Sequence, residues 1–264
     1  MSFFDATGRF LIGLTEGAGY TLILLFASLF YMKNTWRRRR FVLTQMYICG
    51  VKPLPVILVV GVFTGMILAL QMGVELQNFG LKSSISRIIG TAMCREMGPF
   101  MTALILTASV GSGMAAEIGT MKVSEEIDAL EVMSISPSDF LVAPRVLALA
   151  VMCPLLTLIC NLMGVLGGAL VGKAQLDISL TIYFNNVREA LSGTPEFLDF
   201  PKDLYTGLFK AWIFGILVAL VGCSSGLRAR GGALGVGQAT RTAVINSFLL
   251  IIILGYYMTW IFYR

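Results

Sequence analysis

The chain has 264 residues, of which 56% are hydrophobic and 13% are charged, about half the charged share of a typical soluble protein. A soluble domain of this size could not bury so much apolar surface, whereas a bilayer accepts apolar side chains on the outside of a protein. The net charge of +5 is typical of a membrane protein whose Lys and Arg residues collect on the cytoplasmic side, so we do not interpret it as nucleic-acid binding.

The first apolar segment runs from Leu11 to Met32 and is followed by four consecutive arginines, Arg37 to Arg40. Two interpretations are open, because the segment either spans the bilayer or lies along its surface as an amphipathic anchor. In both cases the arginine run is expected on the cytoplasmic side.

Five further apolar segments are predicted to cross the membrane as helices, since each approaches the about 20 residues that the hydrocarbon core requires. In chain order they are 56–71 with an extension to about Asn78, 85–116, 141–171, 208–223 and 245–262. A short polar helix is predicted at 124–133, between the second and third spans. The longest polar stretch, 173–203, connects the third span to the fourth.

Charge predicts the orientation of these spans. The arginine run and the connection that carries Arg228, Arg230 and Arg241 are basic, so both are expected in the cytoplasm. The 173–203 stretch has five acidic and three basic residues and is expected outside. The N-terminus and the 124–133 helix are then cytoplasmic, and the C-terminus lies on the outer side.

The residue types present exclude several kinds of chemistry. With no histidine in the chain, catalysis by Ser-His-Asp or Cys-His groups and metal sites built on histidine are excluded. The five cysteines are scattered, without a C-x-x-C pair, and are interpreted as small buried residues. The N-terminal MSFFDATGRF lacks a basic region followed by a cleavage site, so no cleaved signal peptide is predicted. Neither a catalytic centre nor a metal site is expected.

Two adjacent charges, Arg95 and Glu96, lie within the second span. A charge deep in a bilayer costs about 2.5–3.5 kcal/mol on insertion scales, so such residues usually face a cavity or a partner. Neighbours on a helix point about 100° apart and cannot pair well with each other, and Lys210 on the fourth span is a candidate partner for Glu96. Pro99 cannot donate to the carbonyl of Arg95 and should distort the helix there. A binding cavity is favoured, and a buried ion pair that fixes helix packing is the alternative.

The short helix predicted at 124–133 is amphipathic. Val123, Ile127 and Leu130 share one face by their spacing, and Ser124 is expected to cap the N-terminus, with Glu125 next to the positive end of the helix dipole. Two interpretations are equally supported: the helix docks into a groove on a partner protein, or it is an ordinary interfacial connection.

Two glycine patterns need separate interpretations. Residues 167–173, GGALVGK, match the first part of a phosphate-binding loop, but Ala174 stands where Ser or Thr is required and the run follows a membrane span. We reject this site and expect nucleotide energy to come from another subunit. Glycines four residues apart at 61 and 65, and at 164, 168 and 172, allow close helix approach, either within the chain or at a dimer interface.

Three segments together resemble the MlaE-type permeases, the membrane subunits of ABC transporters that work with MCE-domain proteins. They are REMGPFMTALILTASVGSGMAAEIGTMKVSEEIDALEVMSISPSDFLVAPR at 95–145, GVFTGMILALQ at 61–71 and GVGQATRTAVINS at 235–247. The resemblance covers about residues 40–264. It implies a single permease domain over 1–264, all-α, with an interfacial N-terminal helix within 1–50 and five transmembrane helices with a short cytoplasmic coupling helix within 51–264.

The resemblance also implies a function. It predicts a homodimeric permease of the bacterial inner membrane that moves phospholipids between this membrane and the outer envelope. An MCE-domain protein is expected on the periplasmic face, and a cytoplasmic ATPase is expected to bind the ATP and Mg²⁺, so the chain itself is not an enzyme. The alternatives are an ABC permease for another hydrophobic substrate, such as a sterol or hopanoid, and a membrane scaffold without transport activity.

Site residues carry over from the family by position. The lipid-binding cavity is expected to include Leu68, Leu76, Phe79, Arg95, Glu96 and Lys210. The coupling helix that contacts the ATPase is expected to include Ser124, Glu125, Glu126, Ile127, Asp128, Leu130 and Glu131. The chain departs from close relatives at Gly73 and Glu75, which affects the expected lining of the cavity.

Overall fold

The computed structural model describes residues 17, 19–30, 39–77, 82–192 and 201–264, and every regular element in these ranges is a helix. Phe79, Arg37 and Arg38 lie outside these ranges, as do residues 1–16. The helices are α1 Gly19–Phe30, α2 Arg39–Val51, α3 Leu54–Gln77, α4 Lys82–Ala92, α5 Gly98–Leu106, α6 Ser112–Val123, α7 Glu126–Val132, α8 Ala143–Gln175, α9 Leu180–Ser192, α10 Lys202–Leu227 and α11 Gly232–Tyr263.

Five helical stretches in the described ranges are long and apolar enough to cross a membrane. They are Arg39–Leu76, Ser84–Val123, Ser138–Gln175, Lys202–Leu227 and Gly232–Tyr263. The short helix α1 precedes them, with fewer residues than a bilayer crossing needs. The predicted fold class, a short N-terminal helix with five transmembrane helices, is confirmed.

The helices extend further than the hydropathy pattern indicated. The last span was predicted to begin at Ile245, but α11 begins at Gly232 and includes Arg241. Most of the predicted 228–241 connection is therefore helix, because polar residues at the end of a membrane helix keep their backbone hydrogen bonds while their side chains reach water. The actual connection is tight, with Gly231 and Gly232 at φ +87° and +71°, a conformation that glycine adopts readily.

The polar stretch 173–203 is also more ordered than a simple connection, since it contains α9. On this helix Tyr183 and Val187, four residues apart, are buried and form one apolar face. They join a core with Ile85 and Ile89 of α4. The acidic composition of the stretch had hidden this buried face.

Three wide π-helical turns occur in the described spans. Two of them, Met93–Met97 and Thr107–Gly111, interrupt the span Ser84–Val123, and the third, Ser138–Val142, begins the span Ser138–Gln175. In the first, the N–H of Gly98 donates to the carbonyl oxygen of Met93, one residue further back than in an α-helix. Pro99 follows directly and has no N–H of its own. The helix distortion predicted near Pro99 is thus a π turn that contains both Arg95 and Glu96.

Contacts divide the chain into two compact units, each assembled from three separate stretches. Unit 1 comprises Met1–Cys49, Leu106–Ala150 and Ile216–Leu250, and unit 2 comprises Gly50–Ile105, Val151–Gly215 and Ile251–Arg264. All five cysteines are buried free thiols, as predicted.

Close backbone approach within unit 2 explains the spaced glycines. A side chain at Gly65 of α3 would overlap the backbone of Gly164 on α8, and one at Gly61 would meet the carbonyl of Cys160 at 3.0 Å. At these positions the small residues pack two helices of the same chain, which is the intrachain alternative.

Candidate functional site

The first ion pair of unit 2 joins Glu96 to Lys210, as the sequence predicted. Lys210 Nζ lies 2.5 Å from Glu96 Oε1 and 2.9 Å from the hydroxyl of Thr259. The Thr259 hydroxyl in turn lies 2.8 Å from Glu96 Oε1, to which it donates. Lys210 is almost completely buried, with 1% of its side chain exposed. Removing a lysine from water in this way is tolerable only when its charge and its donors are satisfied.

Lys210 also compensates the backbone defect at the π turn. Its Nζ donates to the carbonyl oxygen of Arg95 at 3.3 Å, the oxygen that Pro99 cannot reach with a hydrogen bond. The Lys210 ammonium therefore donates to the Glu96 carboxylate, to the Thr259 hydroxyl and to the Arg95 carbonyl oxygen. These contacts link the π turn to α10 and α11 within unit 2.

The second ion pair joins Arg95 to Asp203. Arg95 Nε lies 2.6 Å from Asp203 Oδ1, but the contact is an ion pair without a well-aligned hydrogen bond, and Asp203 Oδ2 has no partner among the described residues. The hydroxyl of Tyr263 donates to Asp203 Oδ1 at 3.0 Å and lies 2.8 Å from the Thr206 hydroxyl. The guanidinium of Arg95 is 4.6 Å from the centre of the Tyr263 ring, within the range of a cation–π contact.

Asp203, Thr259 and Tyr263 were missed by the sequence analysis. Asp203 had been counted with the acidic connection, and the last span had been ended one residue before Tyr263. Their spacing in the sequence indicates shared helix faces. Asp203 is two helical turns before Lys210, and Thr259 is one turn before Tyr263, so the two residues of each pair lie on the same face.

The structure describes two of the three apolar residues that were expected in the lipid-binding cavity. Leu68 and Leu76 are partly buried and pack against the hydrophobic core of unit 2, and Phe79 lies outside the described residues. Gly73 packs against Leu176, and Glu75 is exposed near the end of α3. Their contact with lipid remains a prediction.

The predicted coupling helix is α7 in unit 1, shorter than expected. Glu125 precedes it in the left-handed conformation, with φ 60° and no side-chain cap. The predicted cap by Ser124 is wrong, because its hydroxyl lies 2.9 Å from the Thr120 carbonyl oxygen and 3.0 Å from a Glu126 carboxylate oxygen. The Ser124 hydroxyl thus bonds to a carbonyl oxygen of the preceding helix α6 and does not cap α7.

One buried side chain anchors α7, while its polar residues face outward. Ile127 is 2% exposed, and Leu130 is partly buried beside it. Asp128 Oδ1 lies 2.6 Å from Lys122 Nζ. The remaining acidic residues, Glu125, Glu126 and Glu131, are exposed. The C-terminal end of α7 carries two exposed apolar side chains, Val132 at 86% and Met133 at 61% exposed.

A further buried ion pair in unit 1 was not predicted. Arg145 Nη2 lies 2.8 Å from Glu117 Oε1, and the arginine side chain is 1% exposed while the glutamate is 59% exposed. The Nε and Nη1 atoms of Arg145 have no hydrogen-bond partner among the described residues. The pair links α6 to the first turn of α8.

A small cavity of about 110 Å³ lies beside α7 in unit 1. Its lining residues are Tyr20, Lys122, Ile127, Glu131, Pro137, Ser138 and Leu227. Sites for drug-sized ligands usually measure about 300–1,000 Å³. This cavity is therefore too small to hold a lipid molecule.

The chain matches the family described as Permease MlaE over residues 42–261. A probable ABC transporter permease protein of Rickettsia prowazekii is 39% identical over 223 residues, which cover 84% of this chain and 83% of the relative. The chloroplastic protein TRIGALACTOSYLDIACYLGLYCEROL 1 of Arabidopsis thaliana is 33% identical over 94% of this chain and 66% of its own length. The intermembrane phospholipid transport system permease protein MlaE of Haemophilus influenzae is 29% identical over 98% of this chain and 97% of the relative.

These matches confirm the resemblance found in the sequence, and they agree with the five apolar helices of the fold. An ABC permease is the membrane subunit of a transporter whose catalytic ATPase is a separate component. The chain is a multi-pass membrane protein that belongs to the MlaE permease family of ABC transporters.

Proposed function

We propose that this chain moves phospholipids between the inner membrane and the outer envelope, as the permease of an ABC transporter. The proposal rests on the two ion pairs that Arg95 and Glu96 form in unit 2. Arg95 and Glu96 each keep 38% of the side chain exposed. The similarity to the Haemophilus phospholipid transport permease supports this substrate class. Charged groups inside a membrane helix are costly unless they serve a partner or a polar ligand.

The proposed lipid site combines two kinds of surface. Arg95 supplies a cationic contact for a headgroup phosphate, because hydrogen bonds between a guanidinium and phosphate are strong. Glu96 supplies a polar contact for other headgroup atoms, and Lys210 belongs to the site as the partner of Glu96. Leu68, Leu76 and Phe79 supply apolar surface for acyl chains. Lys210 acts mainly by holding Glu96 and the Arg95 carbonyl in place, since its own ammonium is buried.

We propose that α7 transmits the conformational change of the ATPase. The helix is short, anchored by Ile127 and surrounded by exposed acidic residues, so it offers a defined shape to a groove with complementary charge. The residues proposed to contact the ATPase are Ser124, Glu125, Glu126, Ile127, Asp128, Leu130 and Glu131. Val132 and Met133 add an exposed apolar end that a partner surface would cover.

The proposed assembly is a homodimer with one ATPase on each coupling helix and a periplasmic MCE-domain protein on the outer face. The arrangement places the N-terminus and α7 in the cytoplasm and the C-terminus in the periplasm. The basic residues Arg228, Arg230 and Arg241 support this orientation, because Lys and Arg are enriched on the cytoplasmic side.

Reconstitution tests the proposal directly. The complex of the permease, its ATPase and its MCE partner is placed in donor vesicles with fluorescent phospholipid, and ATP-dependent transfer to acceptor vesicles is measured. We expect transfer that disappears when ATP is replaced by a non-hydrolysable analogue. Native mass spectrometry of the same complex should show bound phospholipid.

Two outcomes contradict the proposal. Transfer and binding of a sterol or hopanoid in place of phospholipid assign the chain to another hydrophobic substrate. A folded, ATPase-bound complex that transfers no lipid of any class leaves the ion pairs with a structural role and the chain with a scaffolding function.

A further inference from the structure

The two ion pairs that Arg95 and Glu96 form in unit 2 differ in which partner is accessible. In one pair the cation is accessible, because Arg95 is 38% exposed and its partner Asp203 is 0% exposed. In the other the anion is accessible, because Glu96 is 38% exposed and its partner Lys210 is 1% exposed. The accessible side chains of the cluster are therefore an arginine and a glutamate that are adjacent in the sequence.

The last helix sets the spacing between these two accessible charges. Arg95 lies over the ring of Tyr263, with its guanidinium 4.6 Å from the ring centre. Glu96 accepts a hydrogen bond from Thr259. Thr259 and Tyr263 are four residues apart on α11 and neighbours on one face, separated by about one helical turn of 5.4 Å.

The surroundings distinguish the two ends of this arrangement. Near Tyr263 a further cation is present, since Lys202 Nζ lies 5.4 Å from the ring centre. Lys210 Nζ also lies 5.9 Å from this ring centre, but it is buried behind the carboxylate of Glu96, as Asp203 is buried behind Arg95. Of the two ion pairs, an incoming ligand therefore meets the cation of one at Arg95 and the anion of the other at Glu96.

We propose that Arg95 and Glu96 together recognise a zwitterionic phospholipid headgroup, with the phosphate at Arg95 and a primary ammonium at Glu96. This inference rests on the proposed phospholipid transport and names the headgroup class. A phosphate is the ligand that guanidinium binds best. Glu96 Oε1 accepts hydrogen bonds from Lys210 and Thr259, and a primary ammonium supplies further donors to the part of the carboxylate that loses water when a ligand binds.

The same geometry disfavours a purely anionic headgroup. Such a lipid satisfies Arg95 but offers Glu96 only neutral donors or none, so its binding leaves the carboxylate poorly solvated. Hydrogen bonds to charged groups are worth enough to change an equilibrium roughly tenfold or more. We therefore expect a roughly tenfold preference for ethanolamine lipid over glycerol lipid.

A competition experiment tests the headgroup preference. The purified complex is equilibrated in nanodiscs that contain equal amounts of phosphatidylethanolamine, phosphatidylcholine and phosphatidylglycerol with identical acyl chains, and the bound lipids are quantified by native mass spectrometry. We expect ethanolamine lipid to dominate in the unmodified protein. In Glu96→Gln, which keeps the size of the side chain and removes its charge, the ratio of ethanolamine to glycerol lipid should fall about tenfold towards one.

Two further variants keep this test interpretable. Glu189→Gln removes the same charge from an exposed residue of unit 2 that pairs with Arg87 at 3.4 Å, and it should leave the lipid ratio unchanged. If Glu96→Gln alone does not fold because Lys210 loses its partner, the double variant Glu96→Gln/Lys210→Met removes both charges and should show the same loss of preference.

The outcomes separate this inference from the proposed function. Enrichment of ethanolamine lipid over both other lipids supports the inference, and equal enrichment of ethanolamine and choline lipid overturns the hydrogen bond from a primary ammonium to Glu96. Equal binding of all three lipids, or enrichment of glycerol lipid, overturns the inference while phospholipid transport stands. Binding of no phospholipid at all contradicts the proposed function itself.

Discussion

Lys210 donates a hydrogen bond to the carbonyl oxygen of Arg95, an oxygen that the following Pro99 leaves without its usual helical partner. The side chain that neutralises Glu96 therefore also repairs the backbone of the wide turn on which Glu96 stands. The Arg95 carbonyl oxygen gains a donor in place of the missing Pro99 N–H, and the buried Lys210 ammonium gains an acceptor. This mutual dependence leads to the first prediction.

Replacing Lys210 by methionine should destabilise the protein strongly. The substitution keeps an unbranched side chain of similar length but leaves Glu96 without its cation and the Arg95 carbonyl without its donor. Removing one partner of a fully buried ion pair typically costs about 3–5 kcal/mol. Because Glu96 is 38% exposed, we expect a smaller loss of about 1–3 kcal/mol. The loss is measurable as a lower free energy of unfolding in mixed detergent micelles.

Two comparisons make this result specific. Lys173→Met, at an exposed lysine near the end of α8, should change the free energy of unfolding little. The double variant Lys210→Met/Glu96→Gln should recover part of the loss, since no charge is then left unpaired. Equal losses in the single and double variants would contradict the role assigned to the pair.

Tyr263 should contribute through its ring more than through its hydroxyl. Tyr263→Phe removes the hydrogen bond to Asp203 but keeps the aromatic surface under Arg95, so we expect a stability loss of about 1 kcal/mol. Tyr263→Leu removes the ring as well and should also lower lipid-stimulated ATP hydrolysis by the complex. The idea fails if the phenylalanine and leucine variants show the same hydrolysis rate.

Charge reversal on α7 should uncouple the permease from its ATPase. Glu125→Lys/Glu126→Lys places two cations where the exposed surface is acidic, and we expect at least a severalfold drop in lipid-stimulated hydrolysis. Both side chains are exposed, so the unfolding transition of the permease should stay within about 0.5 kcal/mol of the unmodified protein.

A control variant separates charge from backbone geometry at this position. Glu125 has φ 60°, a conformation that costs a residue with a side chain about 1 kcal/mol and glycine almost nothing. Glu125→Gly should therefore fold at least as well as the parent while it loses one acidic contact. Unchanged coupling in the charge-reversal variant would remove α7 from the proposed ATPase interface.

Glycine at position 65 should be required for the packing of α3 on α8. A Cβ there would overlap the backbone of Gly164, which cannot move as a flexible side chain could. Gly65→Ala should lower the free energy of unfolding by about 1–3 kcal/mol. The matched change Gly113→Ala adds a methyl group where nothing lies within 4 Å, so it should be neutral or slightly stabilising because alanine favours helix. Similar effects at both positions would contradict the close packing.

The spans, the order of helices and the pairing of Glu96 with Lys210 could be predicted because each follows from a large energetic term. Apolar length determines where a chain crosses a bilayer, and a carboxylate in a membrane helix requires a cation. Asp203 could not be assigned in this way. It lies in a stretch whose composition is that of a connection, and only its two-turn spacing from Lys210 along α10 shows that both side chains share a face.

The wide turn at Met93–Met97 was also beyond the sequence pattern. A single extra residue in a long apolar helix changes neither composition nor mean hydropathy, although it rotates every residue on one side of it. Pro99 indicated only that the helix would be disturbed. The helix α9 was missed because it was counted with the polar stretch 173–203 as a whole. Its own segment has two charged residues, Arg188 and Glu189, and a buried face formed by Tyr183 and Val187.

The ion pairs of unit 2 also constrain the order of events during synthesis. Glu96 precedes its partner Lys210 by 114 residues, so the second span reaches the membrane well before the helix that neutralises it has left the ribosome. Until then Arg95 and Glu96 are unpaired charges, each costing about 2.5–3.5 kcal/mol in a lipid environment. The nascent second span is therefore expected to stay beside the insertion machinery, and chains truncated before α10 are expected to be recognised as faulty and degraded.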